Sequence, residues 1–298
     1  MAWSLSANFS KMKLVTIQDS YDYGAHETGH KREVLIICDL KRPGAWSDLK
    51  IMSQMFQDQG FVQYVEGRPT EQRLDATLQG FWRSLSYDGN VSGFVVVIMA
   101  HGSLGTISLP VYPEDYYNYD DYLRADFNPP KRSLESIFEK FNNRNCPAMR
   151  GKPRLFIVQA CRGDGGLHQN TCGMIHTFDS NSMYVPSVPR RLTSMSEYVI
   201  VYATHPGKLA YRHPSKGCPL FIELEKAVNL HGLTMDILQL FTKVTNSLKQ
   251  RQAWDCYELG ITEQESSLHI VHELSRKWFL FNPDLPYIWG GFPEYNQY

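Results

Sequence analysis

Six apolar runs of strand length set the layout of the chain: Val34–Cys38, Phe61–Val65, Phe94–Ala100, Leu155–Gln159, Tyr198–Ala203 and Leu268–Val271. Several are β-branched and apolar at consecutive positions, the pattern of strands covered on both faces. Stretches of helical spacing lie between them. Leu49, Met52, Met55 and Phe56 form one stripe, with Gly60 placed as the residue just past its end. Leu74, Leu78, Phe81 and Leu85 form a second, with Thr70 as candidate N-cap. Leu134, Ile137, Phe138 and Phe141 make a third; Ile237, Leu238, Phe241, Val244 and Leu248 make a fourth, with Thr234 as its candidate cap. Strands alternating with helices predict an α/β fold: a central, mostly parallel six-stranded sheet with helices on both faces.

Three stretches fall outside this rhythm. Residues 1–31 are polar and aperiodic and read as a short leader. Residues 110–132, rich in Tyr, Asp and Pro, read as a surface insertion, and 164–194, rich in Gly, Asn, Ser and Pro, as a long loop of functional length. The tail 282–298 has no strand pattern.

Charge narrows the function classes. With 30 Lys+Arg against 31 Asp+Glu the chain is nearly neutral, which argues against coating nucleic acid or a membrane surface. The longest apolar run, Phe94–Ala100, is far too short to span a bilayer. Scattered Cys38, Cys146, Cys161, Cys172, Cys218 and Cys256 show no disulfide framework and fit a reducing interior. No glycine-rich phosphate loop occurs. His168, Cys172 and His176 recur every fourth residue, but their Gly/Asn-rich setting and the missing fourth ligand weigh against zinc. Neither metal nor cofactor is expected.

The chemistry concentrates at two strand ends. Cys161 closes the run LFIVQAC, and His101 follows FVVVIMA; each stands next to or near a glycine. In open α/β sheets that edge carries the chemistry. A lone cysteine is usually a small buried residue, but thiol and imidazole at neighbouring strand ends suit nucleophilic catalysis. Gly102 allows close backbone approach and has an N–H suited to an oxyanion.

QACRG at Gln159–Gly163 and MAHG at Met99–Gly102 resemble the cysteine and histidine motifs of the caspases. The likeness covers roughly residues 32–281. The two motifs lie 60 residues apart (101 to 161), against about 50 in the family signature, and the insertion at 110–132 accounts for the excess. The resemblance implies an aspartate-directed cysteine endopeptidase, with Cys161 as nucleophile, His101 as general acid/base, and the N–H groups of Gly102 and Cys161 as the oxyanion hole. It also implies a cationic socket for the substrate aspartate, since arginine's planar fork binds a carboxylate bidentately. Arg42 opens RPGAWSD, similar to the family's Arg-x-Gly-x-x-x-Asp with Gly44 and Asp48 in step, and Arg212 closes GKLAYR. Gln159 completes the clamp, with Ala210 and Tyr211 beside it.

FVVVIMAHG, NNRNCPAMR and AYRH are most similar to the caspase-fourteen branch, implying a role in epithelial differentiation and a cytoplasmic, or also nuclear, location. The family pattern further implies a zymogen cut at Asp179, into a large part (32–179) carrying His and Cys and a small part (180–281). It implies a two-fold homodimer through the strand near Leu268–Val271, acting on protein substrates. Two other readings stay open: a catalytically silent relative acting as a binding partner, and a flavodoxin-like ligand-binding domain.

Overall fold

The computed structural model describes residues 31–87, 89–163, 195–210, 212–213, 215–259 (backbone alone from 251) and 267–280. A six-stranded sheet runs in the order β2-β1-β3-β7-β8-β9. Its members are β1 (Lys31–Cys38), β2 (Val62–Glu66), β3 (Val91–Met99), β7 (Arg154–Gln159), β8 (Tyr198–Tyr202) and β9 (His269–His272). Every pairing is parallel except that of β8 with β9. All six expected strands are present, and the sheet is mixed at one edge only. β1 starts at Lys31, one residue inside the expected leader.

Consecutive apolar residues in the strands serve two separate cores. Val34, Ile36, Val95, Val97, Leu155, Ile157, Val199 and Val201 face one side, under α1 (Ala45–Asp58), α5 (Pro219–His231) and α6 (Ile237–Leu259). Leu35, Ile37, Phe94, Val96, Ile98, Phe156 and Val158 face the other, under α2 (Glu71–Tyr87) and α4 (Leu134–Glu139). There Phe81, Phe94, Phe141 and Phe156 meet edge-on or tilted, with centroids 5.4–6.4 Å apart. Each such ring removed from water contributes about 1.5–3 kcal/mol.

Helix ends follow local chemistry. At the end of α1, Phe61 N donates to Phe56 O (3.0 Å) and Gly60 N to Gln57 O (2.9 Å), with Gly60 at φ +74°. This is a Schellman stop, sealed by the contact of the Phe56 and Phe61 rings at 5.0 Å. α2 begins directly after Thr70, whose carbonyl takes the Leu74 N–H at 2.8 Å.

Two expectations need correction. Thr234 does not cap α6: Asp236 Oδ1 accepts from Leu238 N (3.0 Å) and Gln239 N (3.1 Å), two residues closer to the helix. The stretch 110–132 is not irregular throughout. It carries a 3₁₀ turn at Pro113–Asp115 and α3 (Tyr119–Phe127), capped by Asn118, whose side chain accepts from Asp121 N at 2.7 Å. Around it, β4 (His101–Ser103), β5 (Thr106–Ser108) and β6 (Lys131–Ser133) form a small antiparallel sheet.

Candidate active site

Hydrogen-bond register places the two motifs side by side. β3 and β7 pair in parallel through Met99↔Gln159, and Ala100 N donates to Gln159 O at 3.2 Å. His101 and Cys161 each lie two residues beyond that last pair, at the carboxyl edge of adjacent strands. Gly102 makes the approach possible. A Cβ there would stand 2.7 Å from Thr106 O, 3.0 Å from Ala160 Cβ and 3.2 Å from Cys161 O, so no larger residue lets β4 lie against the cysteine segment.

Beyond Cys161 the chain is locked to the segment after β8. Arg162 N donates to Lys208 O (2.9 Å), and Gly207 N to Arg162 O (2.7 Å). A Cβ on Gly163 would fall 2.5 Å from the Gly207 backbone. This short ladder aims the Ala210 N–H at the Cys161 sulfur. Burial pushes the Cys161 thiol up, while that N–H and the charges of Arg42 and Arg212 pull it back down. Of the described cysteines, Cys38, Cys146 and Cys218 are buried, and Cys161 alone is partly exposed. Cys38 and Cys218 are held at about 12 by burial, so their thiols are inert at neutral pH.

Arg42 lies at the same edge, 4% exposed. Its NH1 donates to Ala100 O and to Gln159 Oε1, each at 2.9 Å, and its Nε to Asp39 O at 3.4 Å. Its NH2 has no partner among the described residues, and neither has the buried NH1 of Arg212. Burial comes first in depressing the Arg42 pKa, and the like charge of Arg212 second. Two neighbouring guanidiniums, each with a buried donor unanswered among the described residues, can accept an anionic oxygen-bearing group.

Gln159 therefore stands behind Arg42 and orients it. Ala210 contributes its backbone N–H. Leu209, 45% exposed, borders the edge. Tyr211 and Asp179, and with them His168, Cys172 and His176, lie outside the described residues. Among the described residues no three metal-ligating side chains cluster, and no helix is long and apolar enough to cross a membrane.

Four residues take parts here that the sequence alone did not assign. Arg162 turns inward: its guanidinium sits 3.9 Å from the Tyr202 ring centre, and its NH1 lies 2.7 Å from His269 Nδ1. Lys41 and Arg68 dock the tyrosine-rich insertion beside the socket. Lys41 Nζ donates to Val111 O (3.0 Å) and Asp126 (2.8 Å), while Arg68 pairs with Glu114 and covers Tyr112 at 4.0 Å. Asp48, quoted in the RPGAWSD motif without a role, is fully buried at the start of α1.

A thiol at a parallel strand end, an imidazole segment on the next strand and two guanidiniums, one buried and one half-buried, define an α/β site of the cysteine-peptidase kind. Residues 31–271 match the family model described as the caspase domain, and the chain belongs to the caspase family of cysteine peptidases. It is 30% identical to caspase-14 of Homo sapiens over 224 residues, covering 74% of this chain and 83% of the relative. Caspase-14 of Mus musculus is likewise 30% identical, with 72% and 79% covered. The crystal structure of caspase-1 from Spodoptera frugiperda superposes with a TM-score of 0.64 at 20% identity, covering 89% of this chain and 94% of that one, a likeness of fold.

Proposed function

We propose that the chain is an aspartate-directed cysteine endopeptidase. The observation that supports this best is the pair Arg42 and Arg212, each with a buried terminal nitrogen lacking a partner among the described residues, at the strand edge that carries Cys161. A substrate aspartate carboxylate answers both nitrogens and sets its own carbonyl near the thiol.

In this reading the Cys161 sulfur attacks that carbonyl, and its proton passes to His101. Because burial holds the thiol up, transfer to His101 accompanies attack and no standing thiolate is required. The Gly102 and Cys161 N–H groups receive the oxyanion. Collapse to a thioester expels the amine, which takes the proton from His101; water then releases the acid by the same route. Processing at Asp179, pairing of two copies through β9 at the sheet edge, and a cytoplasmic or nuclear role in epithelial differentiation belong to the same proposal, carried from the family resemblance.

The test is covalent labelling by an aspartyl fluoromethylketone with fluorogenic peptides bearing Asp, Glu or Lys before the scissile bond. Wild type takes the label and cleaves after Asp, and Cys161→Ala does neither. A processed, folded wild type that stays unlabelled overturns the reading in favour of a silent binding partner.

A further inference from the structure

Arg42 and Arg212 repel each other, are separated by most of the chain, and are joined by no hydrogen bond among those described. What holds them at one socket lies beneath, on α1. Arg42 stands three residues before the start of that helix: Ala45 N donates to Arg42 O at 3.1 Å, and Gly44 at φ +79° turns the chain into it. Arg212 leads into a closed turn, in which His213 and Gly217 exchange backbone hydrogen bonds at 3.0 Å each and His213 Nδ1 accepts from Ser215 N (3.2 Å) and Lys216 N (3.1 Å). That turn is clamped to α1 at two consecutive residues. Ser47 Oγ donates to Ser215 O at 3.1 Å, and Cys218 N donates to Asp48 Oδ1 at 2.5 Å.

Resting on the peptidase reading, we propose that Asp48 is the positioning residue of the carboxylate socket, fixing the Arg212 turn against the helix whose entry Arg42 forms. Asp48 is 0% exposed, and its Oδ2 has no partner among the described residues. One oxygen is thus the pin; burial pushes the carboxyl up, and the Cys218 N–H and the charges of Arg42 and Arg212 pull it back toward the ionised form. Gly217, at φ +89°, is the only residue type that fits the joint, since a Cβ there would stand 2.6 Å from Asp48 Oδ1. The carboxylate touches no substrate in this arrangement. It sets selectivity by fixing the spacing between the two guanidiniums that do, and a bidentate carboxylate site is unforgiving of such spacing.

The chemistry separates pin from charge. Asp48→Asn keeps an acceptor for the Cys218 N–H and loses the charge; Asp48→Glu keeps the charge and displaces the pin; Asp48→Ala loses both. With aspartyl fluorogenic peptides, the expected KM of Asp48→Asn stays within about threefold of wild type, whereas Asp48→Ala and Asp48→Glu raise KM about tenfold or more with kcat within about threefold. The preference for Asp over Glu narrows in those two and survives in Asp48→Asn. If Asp48→Ala does not fold, the order of Asn against Glu decides. Equal KM in Asn and Glu variants, or Glu closer to wild type than Asn, overturns the inference, as does a parallel loss of kcat in all of them. Wild type that neither labels nor cleaves overturns the peptidase reading and this inference together; active wild type with an unchanged Asp48→Ala overturns this inference alone.

Discussion

Two buried arginines at opposite ends of the same sheet show how one side chain serves two ends. Arg154, at the start of β7, is wholly buried: NH1 donates to Ser196 O (2.6 Å), and NH2 to Asn143 Oδ1 (2.7 Å) and Met149 O (2.6 Å). Both terminal nitrogens are answered, and Arg154 closes the strand's entry by tying the connection before β7 to the one before β8. Burial lowers its pKa to about 10, still well above neutrality. Arg42, at the exit of the same layer, is nearly as buried but keeps NH2 unanswered among the described residues, beside a second cation. A buried charge costs free energy unless it is paired. A guanidinium with both terminal nitrogens held, as in Arg154 with only its Nε left over among the described residues, is structural, whereas one with a terminal nitrogen open beside a like charge can accept an anionic ligand.

Substitution at the two ends breaks this comparison most directly. Arg42→Met is expected to lower kcat/KM for aspartyl peptides roughly a thousandfold, about 4 kcal/mol, with little change in Tm. Arg154→Met is expected to strand three acceptors and cost about 3 kcal/mol of stability, with kcat/KM per folded molecule intact. Titration with the aspartyl label counts active sites and separates the two effects; a reversed pattern would sink the contrast. Gly163→Ala sharpens it further, because the added methyl meets the Gly207 backbone at 2.5 Å. A loss of about 1–3 kcal/mol and slower Cys161 alkylation are expected, measured by denaturation and iodoacetamide kinetics.

The smallest effect is one of pH. Burial, then the charges of Arg162 and His205, hold His269 below its usual 6.5. The unfolded chain therefore takes up that proton before the folded one. This contribution favours the folded state above 6.5 and is lost as pH falls below 6.5 through the lowered pKa. His269→Asn keeps an acceptor near Arg162 and cannot titrate, so its Tm should fall less than that of wild type between pH 7 and 5.5. Parallel curves would rule out His269 as a source of acid sensitivity.

Strands were legible because each feeds two cores at once, which writes an apolar residue at nearly every position from Val34 to Cys38 and from Phe94 to Ala100. Cys161 and His101 were legible as strand-end residues for that reason. α5 was overlooked although Leu220, Phe221, Leu224, Ala227 and Val228 form a helical stripe behind Pro219; its start is hidden by the loop from Gly207. α3 left no apolar periodicity because none of its residues is buried, and only Asn118 and the acidic first turn announced it. Asp236 and Thr234 are both capping types two residues apart, and Asp, the stronger of the two, is the one that caps. The Ala210 and Cys218 N–H groups that donate to Cys161 and Asp48 are backbone donors, which the side chains at positions 210 and 218 do not encode. The inward turn of Arg162 depends on Tyr202 and His269, brought close by strand pairing.

Because side chains alternate across a strand, the β3–β7 ladder that ends at Met99 and Gln159 makes the molecule very unequal in its tolerance of indels. Removing one residue from either strand would swap its facing sets and send thiol or imidazole to the opposite side of the sheet. Residues 113–128, hung between β5 and β6, can lengthen or shrink without altering that alignment, so divergence in chain length is free to accumulate there.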